Sequence, residues 1–194
     1  MGRPTRRDEI LDAAARLVRR DGAAQLTLDA VAAEAGVSKG GLLYHFGAKD
    51  DLVGGLVDRL VARFDERIAA ARGDDKGRFV AAYVAASVND DSEDFATAAA
   101  LVAAVALSPS LLGPLRARYA TWSRALAAAC PDKTTALIVR LALDGLWFAD
   151  LLELAPPSRA ERLALAHALI TQAAPAPPPT KKTAAKKKAR TEAP

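Results

Sequence analysis

The sequence predicts an all-α protein, and three observations lead there. Alanine and leucine, both strong helix formers, dominate a chain that is 51% hydrophobic and 26% charged. No stretch alternates apolar and polar side chains convincingly, and β-branched clusters are rare. Of eleven prolines, five lie after residue 173, and Pro4, Pro109, Pro114, Pro131, Pro156 and Pro157 fall where helical patterns start or stop. With 194 residues the chain can bury a core without staples, as one ordinary domain or two small ones.

The elements follow in order. A first helix over 5–21 has Thr5 as cap, Asp8 and Glu9 at its positive end, and Arg19 and Arg20 at its negative end. Its apolar face is Ile10, Ala14, Leu17 and Val18, and Gly22 ends it. A second helix over 27–35 stops at Gly36, and Ser38 caps a short third one over 38–46. A fourth, 48–72, opens with Asp50 and Asp51, carries the stripe Leu52, Leu56, Leu60, Phe64 and Ile68, and meets Gly73. Five more helical stretches follow over 75–88, 93–107, 110–129, 132–154 and 158–173, with an acidic loop over 89–94.

Several function classes drop out. A single cysteine, Cys130, excludes an internal disulfide framework and a cysteine-based metal site. His45 and His167 lie too far apart for zinc spacing, so no metal and no cofactor are expected. No nucleophile–base pair or phosphate loop is recognisable, so the chain does not read as an enzyme. The N-terminus has no apolar stretch after its arginines, and the longest apolar run, 96–107, is too short to span a bilayer. A cytoplasmic, nucleoid-associated protein without a membrane partner is expected. The net charge of +4 is unevenly spread: residues 174–194 carry net +5 and the rest −1. Nucleic-acid binding by the body must therefore be argued from a motif and not from the overall charge.

That motif is TLDAVAAEAGVSKGGLLYHFGAK over 27–49. It lays out a helix, a glycine turn and a capped short helix. Val31 and Ala32 face inward, Val37 plugs the turn, and Leu42 and Phe46 give the short helix its inner face. The outer face is left with Lys39, Gly40, Gly41, Leu43, Tyr44 and His45. This is the pattern of a helix-turn-helix whose second helix enters the major groove of double-stranded DNA. The competing reading is a plain helical hairpin. Against it, Gly40 and Gly41 each cost roughly 1 kcal/mol relative to alanine in a helix, and bare backbone there lets DNA approach closely.

The chain resembles the TetR/AcrR family of bacterial one-component repressors. The resemblance lies in Leu26-Thr27, the run from Val31 to Gly40, Leu42, His45-Phe46 and Lys49-Asp50-Asp51-Leu52. A further string, Ala142-Leu143-Asp144-Gly145-Leu146-Trp147, is similar to a helix of a multidrug-binding subgroup. The resemblance implies about nine helices, a helix-turn-helix domain over 1–50, and a ligand-binding and dimerisation domain over 51–173. It implies a homodimer through 132–154 and 158–173 that reads an inverted-repeat operator, and a cavity between the fourth and eighth helices whose small-molecule effector parts the two reading heads. Thr27 and Ser38 then cap helices that face phosphates, Lys39 and Gly41 sit at base edges, Tyr44 and His45 face the backbone, and Lys49 clamps a phosphate. Leu43 stands where many members have tyrosine, which leaves apolar contact with a thymine methyl as its means of readout.

In the second half, Tyr83, Phe95, Trp122, Trp147 and Phe148 are either core packing or the lining of a cavity for flat, greasy ligands. Asp144 and Asp150 lie within an apolar helix; they either meet a cationic ligand or serve as surface or ion-paired residues, with Arg140 or Arg124 as partner. The expected function is a sequence-specific repressor released from its operator by a small lipophilic ligand, a cationic one if Asp144 or Asp150 meets it. The Lys/Pro/Ala-rich stretch over 174–194 is expected to be disordered, and it supports an alternative, a nucleoid-associated architectural protein.

Overall fold

The computed structural model describes residues 5–22, 25–88, 94, 97–98 and 109–174. Among these it is all helical, with eight α-helices: α1 Arg6–Asp21, α2 Leu28–Ala35, α3 Lys39–His45, α4 Lys49–Arg72, α5 Phe79–Val88, α6 Gly113–Ala129, α7 Lys133–Leu151 and α8 Arg159–Ala173. The expected all-α class is borne out. The expected helix over 93–107 lies largely outside the described residues, as do Phe95 and the tail from residue 175.

The helix starts are written in local chemistry. Thr5 accepts from the Asp8 amide while the Asp8 carboxylate accepts from the Thr5 amide, and Ser158 and Glu161 repeat this box at α8. Thr27, Ser38 and Asp132 cap α2, α3 and α7 through single side-chain oxygens. Gly36 ends α2 in the left-handed conformation, φ 65° and ψ 34°, which turns the chain sharply into α3.

Three boundaries differ from expectation. Helix 75–88 starts later, because Gly77 lies in a 3₁₀ turn over Lys76–Arg78 and α5 follows at Phe79. Helix 110–129 starts at Gly113, after another 3₁₀ turn, because Pro114 suits the first turn of a helix and no later position. Helix 132–154 ends at Leu151, and Glu153 and Ala155 take positive φ of 53° and 47°. Ala155 precedes Pro156-Pro157, where the helical conformation is sterically disfavoured.

Two cores form. The first packs Ile10, Leu11, Leu17 and Val18 of α1 with Leu26, Val31, Leu42 and Phe46, and closes on Leu52, Val53, Leu56 and Val57 of α4. The second joins Ile68 to Val80, Tyr83, Val84, Trp122, Leu126, Val139, Leu143 and Leu169. α4, at 24 residues, spans both and ties the N-terminal helices to the rest. Arg59 reinforces the tie: its guanidinium donates to Asp12 at 2.6 Å and to the Leu11 carbonyl at 2.9 Å.

Candidate DNA interface and effector cavity

The α2–α3 pair is built as the sequence dictates. Val31, Ala32, Leu42 and Phe46 are buried, and Val37 packs against the same core. The opposite side is open. Thr27, Ser38, Lys39, Gly40, Gly41, Leu43, Tyr44 and Lys49 are exposed and His45 is half-buried. Tyr44 is 86% exposed, an unusual degree for an aromatic ring, and meets His45 edge-on at 5.2 Å between ring centroids.

Neither glycine of α3 is required by the internal packing of the described residues. A side chain at Gly40 would meet nothing within 4 Å, so no internal packing demands glycine there. A Cβ at Gly41 would lie 3.2 Å from the Ser38 hydroxyl, which accepts from the Gly41 amide at 3.1 Å. Asp8, Ala30 and Glu161 make the same cap bond with a side chain in place, so the cap does not demand glycine at 41 either. Lys39 pairs with Asp29 of α2 at 2.9 Å, an exposed contact of small net strength. Lys49 is the first residue of α4. Arg6 joins Ser38, Gly41, Tyr44 and His45 around a shallow depression of about 380 Å³, a participant that sequence reasoning missed.

A second concavity, about 560 Å³, opens among α4, α5, α6 and α7. Of the expected ligand residues, Tyr83, Trp122, Asp144, Trp147 and Phe148 line it together. Asp150 does not: its carboxylate is taken by Arg162 of α8. Phe95 lies outside the described residues. Residues missed from sequence complete the wall, chiefly Leu60, Phe64 and Arg67 of α4, Asp94, and Leu115 and Tyr119 of α6. Asp94, which the sequence places at the overlap of the acidic run 89–94 and the helix 93–107, is helical and 7% exposed, and Arg63 and Arg67 hold its two oxygens at 2.6 and 2.7 Å.

The wall is mainly aromatic and aliphatic, with Arg67, Asp94 and Asp144 as its charged side chains among the described residues. Phe64 meets Trp122 and Tyr83 edge-on at 4.9 and 5.6 Å, and Tyr119 meets Trp122 at 5.3 Å. The Trp122 ring nitrogen donates to Asp65 at 2.8 Å, which fixes the indole. Asp144 accepts from the Tyr119 hydroxyl at 3.0 Å and lies 3.5 Å from Arg140. Burial raises its carboxyl above the ordinary range, against the opposing pull of Tyr119 and Arg140. Burial and the Asp144 charge together push the Tyr119 and Tyr83 phenols up, so both stay protonated donors at neutral pH.

A helix-turn-helix joined by a long helix to a cavity-bearing helical body defines a DNA-binding transcriptional regulator. Residues 10–56 match the family of bacterial regulatory proteins of the tetR type, and residues 77–174 match the tetracyclin repressor-like C-terminal domain. The chain belongs to the TetR family, which is a family of regulators and not of enzymes. Among solved structures, the multidrug binding protein EbrR complexed with ethidium is 31% identical, with a TM-score of 0.63 over 85% of this chain and 98% of that one. A TetR-family member from Streptomyces coelicolor is 30% identical, TM-score 0.67, over 86% and 98%. A transcriptional regulator from Rhodococcus sp. is 27% identical, TM-score 0.68, over 87% and 94%. No curated protein matches the chain in sequence. Among the described residues no helix is long and apolar enough to cross a membrane.

Proposed function

We propose that the chain is a homodimeric repressor that leaves its operator when a lipophilic cation fills the cavity. One observation carries the choice of ligand: Asp94 is already held by Arg63 and Arg67, whereas Asp144 places a half-buried carboxylate, met by Tyr119 and at 3.5 Å by Arg140, in a mainly aromatic and aliphatic wall. A buried carboxylate favours a cation that can share its charge, while the rings supply apolar and cation–π contact. The likeness to EbrR, which binds ethidium and malachite green, supports the same class.

The reading head is assigned to Thr27, Ser38, Lys39, Gly40, Gly41, Leu43, Tyr44, His45 and Lys49: all but the half-buried His45 are exposed, and Ser38, Gly41, Tyr44 and His45 surround one depression. The dimer is assigned to α7 and α8. Leu137, Ile138 and Leu141 of α7, with Leu163 and Ile170 of α8, are exposed large apolar side chains. Such a patch on two neighbouring helices calls for a partner surface.

The test uses tetraphenylphosphonium and its isosteric anion tetraphenylborate, which share shape and differ in charge. Neither has a flat fused ring that would intercalate into DNA. The cation should quench tryptophan fluorescence and displace labelled operator DNA, and the anion should do neither at equal concentration. Displacement by the anion alone would point to an acidic effector and overturn the proposal.

A further inference from the structure

We propose that Arg6 of α1 grips a DNA phosphate beside the reading head, an inference that rests on reading the outer face of α2 and α3 as the DNA-binding surface. The site is the depression that Arg6 shares with Ser38, Gly41, Tyr44 and His45. Among the described residues no carboxylate lines it. Its polar side chains can all donate: the Arg6 guanidinium, the Tyr44 hydroxyl, a ring nitrogen of His45 and the Ser38 hydroxyl. The Ser38 oxygen accepts from the Gly41 amide at 3.1 Å, and its own proton can still be given. A concavity with one cation, several donors and no acid suits an anion. On a DNA-binding face the anion at hand is a backbone phosphate. Gly41 keeps the space open, since a Cβ there would meet only the Ser38 hydroxyl within 4 Å and a longer side chain would fill the depression.

The start of α1 gives its two neighbouring arginines different tasks. Successive residues of a helix point about 100° apart. Arg7 lies over the Phe46 ring, 5.0 Å from its centroid, and its guanidinium would be 3.3 Å from a Cβ at Gly55. It is thus packed against the end of α3 and against α4, which fixes the start of α1 next to the reading head. Arg6 is left on the side of the depression. It holds Glu9 at 2.7 Å, with 60% and 41% of the two side chains open to solvent. An exposed pair of this kind has small net strength, so a phosphate can take over the guanidinium at little cost. The competing reading makes Arg6 a surface ion pair and nothing more.

The test is binding of the full-length protein to labelled duplexes, selected operator and random DNA, followed by anisotropy at several salt concentrations. Arg6→Gln should lower the slope of log affinity against log salt by about 0.9 for each bound subunit. It should weaken both duplexes by the same factor and leave the selected sequence unchanged, because a phosphate carries no base identity. Arg6→Lys keeps the charge and should restore the slope. Neither variant should shift Tm, since an exposed pair contributes little to the fold. Arg124→Gln removes the same charge from an exposed position on α6 that does not line the depression, and should leave the slope alone. An unchanged slope in Arg6→Gln, or an equal loss in Arg124→Gln, would overturn the proposal. Lys49→Ala separates it from the reading it rests on. A loss in Lys49→Ala alone would remove Arg6 from the interface, whereas silence of both variants would bring down the DNA-facing assignment as well.

Discussion

Replacing Asp144 by Asn removes one negative charge from the cavity and almost nothing of its shape. Two unit charges 4–6 Å apart attract by roughly 3–4 kcal/mol at an effective dielectric near 20. Here the attraction is shared. Tyr119 and Arg140 already engage the carboxylate at 3.0 and 3.5 Å, and its side chain is 20% exposed. The net loss should be about 1–2 kcal/mol, or roughly 5–30-fold weaker binding of tetraphenylphosphonium. Titration of tryptophan quenching measures it. Stability should not suffer. Burial raises the Asp144 carboxyl, so the folded state holds the proton more tightly than the unfolded chain. The fold is therefore penalised as pH rises from the ordinary carboxylate range through the raised value, and fully penalised at neutral pH. Asparagine mimics the neutral acid and still accepts from Tyr119, so Tm at pH 7 should hold or rise slightly. Cation affinity of the wild type should fall as pH is lowered through the same window, and the variant should lose that dependence. Equal affinity of variant and wild type for the cation would refute the assignment of Asp144.

Other changes test other parts. Lys49→Ala should weaken binding to all DNA sequences alike and reduce the salt slope by about one, measured by anisotropy at several ionic strengths. Arg59→Leu should destabilise the fold by about 1–3 kcal/mol, since it frees Asp12 and the Leu11 carbonyl, and should lower Tm by several degrees in a thermal melt. A chain ending at Ala173 should select the same DNA site as the full chain. Its salt dependence should be flatter by about 0.9 for each phosphate that the tail lysines neutralise.

Much of the fold was legible because helix starts and stops depend on neighbours in sequence. Thr5, Thr27, Ser38 and Ser158 cap helices with their own side chains, and Gly22, Gly36 and Gly73 end them. The outward face of α3 followed from spacing, once Leu42 and Phe46 were placed inside. The cavity was only half legible. Asp144 and Asp150 are six residues apart, which at about 100° per residue puts them roughly 120° apart around the helix. They could not both face one cavity, and that geometry was available from the sequence. Asp94 was not recoverable in this way. Its burial depends on Arg63 and Arg67, 31 and 27 residues distant, and a run of acidic side chains gives no sign of such partners. Tyr119 was passed over because its value lies in reaching Asp144, 25 residues on.

Two copies of the α2–α3 pair are expected to read DNA together. Selection of bound duplexes from a random pool by the full-length protein tests it most directly. The prediction is an enriched inverted repeat whose half-sites are about one helical turn, roughly 34–36 Å, apart or somewhat more, with Gly41→Val changing or abolishing the enriched sequence. Enrichment of a site without dyad symmetry, or of no sequence at all, would contradict it.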